Sequence, residues 1–102
     1  LCDFIFLSFY SGAGELVRDA VITEVASSSG NKDVFYVKLK GGTGPCAGGS
    51  VLFPANKSQS EQSYNQAFSI ALAVAMSGKK IRIHNYSNND CHGANFIGVF
   101  TN

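Results

Sequence analysis

The sequence predicts a mainly β domain, a five-stranded Greek-key barrel carrying one helix between its third and fourth strands, and this expectation rests on three features. Eleven glycines, two prolines and no tryptophan among 102 residues, with many Ser and Asn, suit short strands and tight turns better than a helix bundle. Apolar and polar residues alternate with period two in two separate segments, 34–40 and 79–86. The stretch from Ser58 to Ser77 alone carries the period of a helix. Length allows one domain, and 45% hydrophobic against 15% charged residues exclude a disordered tail. Eight basic against seven acidic residues leave a formal charge of +1, too little to form the basic footprint that a nucleic-acid backbone demands.

Each element has its own local reason. Val17 to Val25 (VRDAVITEV) is rich in β-branched residues and stops at the turn formers Ala26 to Asn31, giving strand one. In strand two, Val34 to Lys40, residues Phe35, Val37 and Leu39 share one face while Tyr36, Lys38 and Lys40 share the other. The loop GGTGPCAGG, Gly41 to Gly49, leads into a short strand three from Ser50 to Phe53, closed by Pro54. Ser58-Gln59-Ser60-Glu61 matches a capping box, so the helix is expected to start at Ser58 and to run about five turns to Ser77, with Gly78 as its stop. Tyr64, Ala67, Phe68, Ala71, Val74 and Ala75 form its core stripe. Ile70, Leu72, Ala73 and Met76 fall between the stripe positions, so the second half is apolar on more than one face and is covered by a second subunit or by loops of its own chain. Strand four, Lys79 to Tyr86, turns Ile81 and Ile83 inward and Lys80, Arg82, His84 and Tyr86 outward. Ser87 to Asp90 reads as a turn and Ala94 to Phe100 as the last strand. Three strands, a helix and two strands is the element order of the OB-fold; a split sheet with one packed helix is the other arrangement it allows.

The beginning of the chain points to a compartment. Residues Leu1 to Tyr10 (LCDFIFLSFY) are an apolar run followed by Ser11-Gly12-Ala13, with small residues three and one positions before a cut after Ala13. This reads as a secretory-signal remnant over 1–13 that has lost its basic start, leaving 14–102 as the domain; Asp3 fits a signal core poorly, and an extra N-terminal strand is the other reading. The run is too short to span a bilayer, which takes about 20 apolar residues. Loss of Asp3 would leave eight basic against six acidic residues.

The same cut removes Cys2 and leaves Cys46 and Cys91, an even pair that in an exported chain reads as a disulfide. Closing a loop of about 46 residues restricts the unfolded chain by roughly 4 kcal/mol on the chain-entropy model. Two rivals share these residues: Cys46, Cys91, His92 and His84 have the chemistry of a zinc site, and a lone Cys could be a thiol nucleophile. Neither has a diagnostic spacing, and no metal or cofactor is expected.

The strings AVITEV, DVFYVKLKGGTGPCAG and AFSIALAVAMSGKKIRIH, with the Asn-rich turn and its Cys, resemble the B subunits of subtilase-cytotoxin-like bacterial toxins. They are similar, more closely still, to small exported bacterial proteins of uncharacterised role. The likeness spans Gly14 to Thr101. It implies an OB-fold, a secreted or periplasmic location, ring-forming pentamers and glycan binding. In those subunits a hydroxyl residue just before the Asp of strand one contacts a sialic acid; the matching position here is Arg18, beside Asp19. A guanidinium can pair with a sugar carboxylate through two charge-assisted hydrogen bonds, but the departure puts the same sugar in doubt.

Other chemical-looking signals are weaker. Gly42-Thr43-Gly44 and Gly48-Gly49 suggest a phosphate loop, yet no Lys-Ser/Thr follows and Pro45 removes an amide donor, so a hairpin loop is expected. His84 and His92 read as surface residues, and Asn56-Lys57-Ser58 and Asn85-Tyr86-Ser87 match the glycosylation triplet, a chance match if the source is bacterial. No nucleophile, base and orienting group stand at recognisable spacing, so an enzyme is not expected. The expected function is an exported, self-associating binding protein for a glycan. Its ligand residues would be Arg18 and Asp19 on the exposed edge of strand one, and Tyr36, His84 and Tyr86 on the outer face of strands two and four. A protein-binding or structural role is the alternative. A single-stranded nucleic-acid binder, using Lys38, Lys40, Lys80, Arg82, Tyr36 and Tyr86, is the less favoured one.

Overall fold

A computed structural model of the chain describes residues 14–28 and 33–101; the expected signal remnant, 1–13, lies outside them. Strands β1 (Glu15–Ser28), β2 (Val34–Lys40) and β3 (Ser50–Pro54) are followed by a 3-10 turn, Ala55–Lys57, and the helix α1 (Glu61–Ser77). Strands β4 (Ile81–His84) and β5 (Phe96–Val99) complete the order. All pairings are antiparallel, and the strands lie in the order β3-β2-β1-β4-β5. This is the mainly β, barrel-like architecture expected, with its helix between the third and fourth strands.

The long first strand makes that order possible. Its C-terminal part, from Val21 to Ser28, pairs with β2, while Glu15 to Ala20 pairs with β4. Three register shifts, at Glu15/Val17, Arg18/Ala20 and Ile22/Glu24, add the local twist that lets one strand serve both halves. Asp19 sits in the second bulge at φ 62°, a left-handed conformation that Asp tolerates better than most residues. Where β2 leaves β1, the Gly-rich loop takes its place: Arg18 and Thr43 exchange backbone hydrogen bonds at 2.9 Å, and Cys46 N–H donates to the Leu16 carbonyl. A Cβ at Gly42 would stand 2.6 Å from the Arg18 carbonyl oxygen, so only glycine permits this approach. The loop expected of GGTGPC is therefore a backbone clasp on β1. On the far side, Leu52 N–H donates to the Cys91 carbonyl and Ala94 N–H to the Leu52 carbonyl, which draws the segment before β5 against β3 and closes the ring.

The core follows the period-two pattern. Val17, Val37, Val51, Ile81 and Ile83 are fully buried, and Phe35 stacks on Phe53 with ring centroids 4.6 Å apart. Helix α1 covers the open side of the sheet through the expected stripe: Ala71 and Val74 are buried and Phe68 meets Phe35 edge-on at 5.1 Å. Two expectations for the helix need correction. Its N-cap is Ser60, whose side chain accepts a hydrogen bond from the Ser63 N–H, and Ser58 is extended, because the 3-10 turn after Pro54 uses Ser58 N–H as its own terminus. Ile70 also packs partly against the core, whereas Leu72, Ala73 and Met76 are exposed. Gly78 ends the helix in the left-handed region at φ 72°, as expected.

Candidate functional site

The outer face of β1, β4 and β5 gathers most of the unusual side chains. Alternation in β4 sends Ile81 and Ile83 into the core and leaves Arg82 and His84 outside. Across the sheet, His84 faces Glu15 of β1 on one side and Phe96 of β5 on the other, while Arg82 faces Gly98. With no side chain at Gly98, the Arg82 guanidinium lies over the Phe96 ring, 5.2 Å from its centroid. The ring of His84 meets Phe96 edge-on at 5.2 Å and stacks against Tyr86 at 5.9 Å. Arg18 enters from the bulge in β1: its Nε and Nη2 reach Glu15 Oε2 at 3.0 and 2.9 Å, and its guanidinium lies 5.6 Å from the Phe100 centroid.

His84 Nε2 is buried without a hydrogen-bond partner and stands 3.6 Å from Glu15 Oε2. Burial holds the imidazolium below its ordinary value of 6.5; Glu15 pulls it back up, and Arg82 and Arg18 push it further down. The neutral ring is therefore favoured between two guanidinium groups.

The turn after β4 is organised by Asn85, which is 2% exposed. Its amide donates to Asn88 Oδ1 at 2.8 Å and to the Asp90 carbonyl at 3.0 Å, and its Oδ1 accepts from the N–H groups of Ser87 and Asn88. Asn88 Oδ1 also accepts from Asp90 N–H, and Asn89 Oδ1 accepts from Gly14 N–H. These bonds hold the oxygens of both asparagines and leave their amide nitrogens without a partner among the described residues. The result is a cleft of about 370 Å³ lined by Gly14, His84, Tyr86, Ser87, Asn88 and Asn89, with Tyr86 68% exposed at its rim. A larger hollow of about 670 Å³ runs along α1, lined by Glu61, Gln62, Asn65, Gln66, Ser69 and Ile70. That hollow is an open helix face with no aromatic ring, so the smaller cleft is the better-built site.

The expected ligand residues divide. Arg18, His84 and Tyr86 share one surface. Asp19 faces a separate hollow with Gly78, Lys79, Lys80 and Phe100, and Tyr36 lies on β2 opposite Ala26 and Leu52, eleven positions along β1 from the residue that pairs with His84. The edge expected at Arg18 and Asp19 is not an edge, because β4 covers one side of β1 and the Thr43 loop the other. Glu15, Phe96 and the two asparagines escaped sequence reasoning; the Asn-Asn-Asp string was the available signal, and it read only as a turn.

Cys46 and Cys91 form a disulfide with Cα atoms 5.9 Å apart. Both sulfurs are consumed, so neither the zinc nor the thiol-nucleophile alternative stands for them. Among the described residues no three His, Cys, Asp or Glu side chains gather in a way that could hold a metal ion, and no helix is long and apolar enough to cross a membrane.

The chain belongs to a family of unknown function, DUF5992, whose model matches residues 1–101. No curated protein and no solved structure matches it.

Proposed function

We propose that this family member is an exported, non-enzymatic binding protein whose ligand is a carbohydrate, held in the cleft beside Tyr86. The observation that carries this reading is the presence, in one cleft, of an exposed aromatic ring, the Ser87 hydroxyl, and the amide groups of Asn88 and Asn89, whose nitrogens have no partner among the described residues. Sugars present apolar C–H faces that stack on aromatic rings and hydroxyl oxygens that accept from amides, so this residue set matches their chemistry. The connection between the fourth and fifth strands of OB-folds is a recurrent oligosaccharide-binding element, and here that connection builds the cleft. Arg18 supports the wall: two of its donors are held by Glu15, which also faces His84.

Export is supported by the disulfide, which persists in oxidising compartments. The nucleic-acid alternative is less favoured, because its cations fall on both sides of β1 and Lys38 is paired with Glu24 at 3.5 Å. A partner protein or a second copy bound through α1 is favoured by Met76 at 85% and Leu72 at 45% exposure.

A glycan array probed with wild type and Tyr86→Ala tests the principal reading. Selective binding by wild type that the variant loses is the expected outcome. Binding of single-stranded DNA with a steep salt dependence, and of no glycan, would move the assignment to nucleic acid.

A further inference from the structure

Tyr86 is a ridge rather than a wall. Behind it lies a second cleft, about 180 Å³, lined by Lys57, Ser58, Gln59, Ser63, Tyr86 and Asn95. Asn95 ties the two together: its Oδ1 accepts from Tyr86 N–H at 3.1 Å and its amide donates to the Lys57 carbonyl at 3.4 Å. The Tyr86 ring is braced by His84 at 5.9 Å and by Phe96 at 6.0 Å. From these contacts we infer that the two clefts are subsites of one groove, and that the ligand is an oligosaccharide of at least two units crossing Tyr86.

Three points carry this, and it rests on the carbohydrate reading above. The second cleft is below the roughly 300 Å³ at which free-standing small-molecule sites begin, so it serves best as an extension of the first. Its lining repeats the chemistry of its neighbour, with a shared aromatic ring, hydroxyls and amides but no carboxylate. Lys57 has no ion-pair partner among the described residues, so that side suits a neutral or anionic unit better than a free amino sugar, whose like charge is weakly repelled through water.

The test uses an array that displays each terminal sugar as its mono-, di- and trisaccharide on one linker, followed by calorimetry on the best series. Lys57 and Gln59 are both exposed and take no part in the helix cap, so the double variant Lys57→Ala/Gln59→Ala alters the second cleft while sparing the fold. The disaccharide should bind wild type about tenfold more tightly than the monosaccharide, and the double variant should lose that gain with monosaccharide affinity unchanged. Equal affinity for mono- and disaccharide, or equal weakening of both in the variant, would overturn the two-subsite groove and leave the carbohydrate reading in place. Failure of wild type to bind any sugar would overturn both.

Discussion

Asn85 shows how much one side chain can organise. Four hydrogen bonds converge on its buried amide, and its replacement by Ala would remove the partner of the Ser87 and Asn88 N–H groups and of the Asp90 carbonyl, which belong to exposed residues. Asn85→Ala is expected to cost about 1–2 kcal/mol in urea unfolding and to loosen the cleft, with an Asn85→Asp variant recovering only the accepting half. The neighbouring His84 makes stability depend on pH. Its folded value lies below the ordinary 6.5, so the unfolded chain takes up the proton first. The contribution is complete above about pH 6.5 and is lost as pH falls toward the folded-state value; Glu15, Arg18 and Arg82 are the charged groups that face the ring. Unfolding midpoints measured from pH 7.5 to 5 should fall for wild type, and His84→Phe should flatten that slope. Neither role was legible in the sequence. Asn85 occupies an inward position of an alternating strand where a hydrophobe is expected, and the charges around His84 depend on which residues of β1 lie opposite it.

Local pattern did reach the elements. Val34 to Lys40 was legible to its ends because its alternation is uninterrupted, whereas β1 extends beyond Val17 to Val25 at both ends: a bulge places Leu16 and Val17, adjacent in sequence, both in the core, and the turn formers Ala26 to Ser28 pair in regular register with Val34 to Tyr36. The core stripe of α1 was legible, but its start was not, since the 3-10 turn after Pro54 displaces the cap by two residues. The outer face of the helix divides into Gln62, Asn65 and Gln66 near its start and Leu72, Ala73 and Met76 near its end. If self-association occurs it uses the latter patch. Met76→Glu should then lower the mass measured by light scattering with no change in melting temperature, whereas Ile70→Glu should lower the melting temperature as well, because Ile70 packs on the core. A wild-type chain that stays monomeric at high concentration removes this role from the helix.

At the scale of the whole molecule, closure of the barrel joins distant parts of the chain. The element order was legible because it follows from local period, and the cysteine pairing because setting Cys2 aside with the signal-like start leaves an even pair. The outer-face cluster was not, because Glu15, Arg18, His84 and Phe96 meet only through the register of three strands. The Cys46–Cys91 bond lies beside the two hydrogen bonds that draw β3 to the segment before β5, so covalent and backbone links share one seam. Cys46→Ala/Cys91→Ala is expected to lose about 4 kcal/mol in denaturant unfolding under non-reducing conditions. The bond also makes a covalent circuit that contains β3, α1 and β4, with the exposed Lys79 and Lys80 on its path. A protease that cuts after either lysine would open the circuit without releasing a piece. The nicked molecule would run as one band on a denaturing gel until a thiol is added and would then separate into two, so a cleaved population would pass for intact protein in any preparation kept free of reductant.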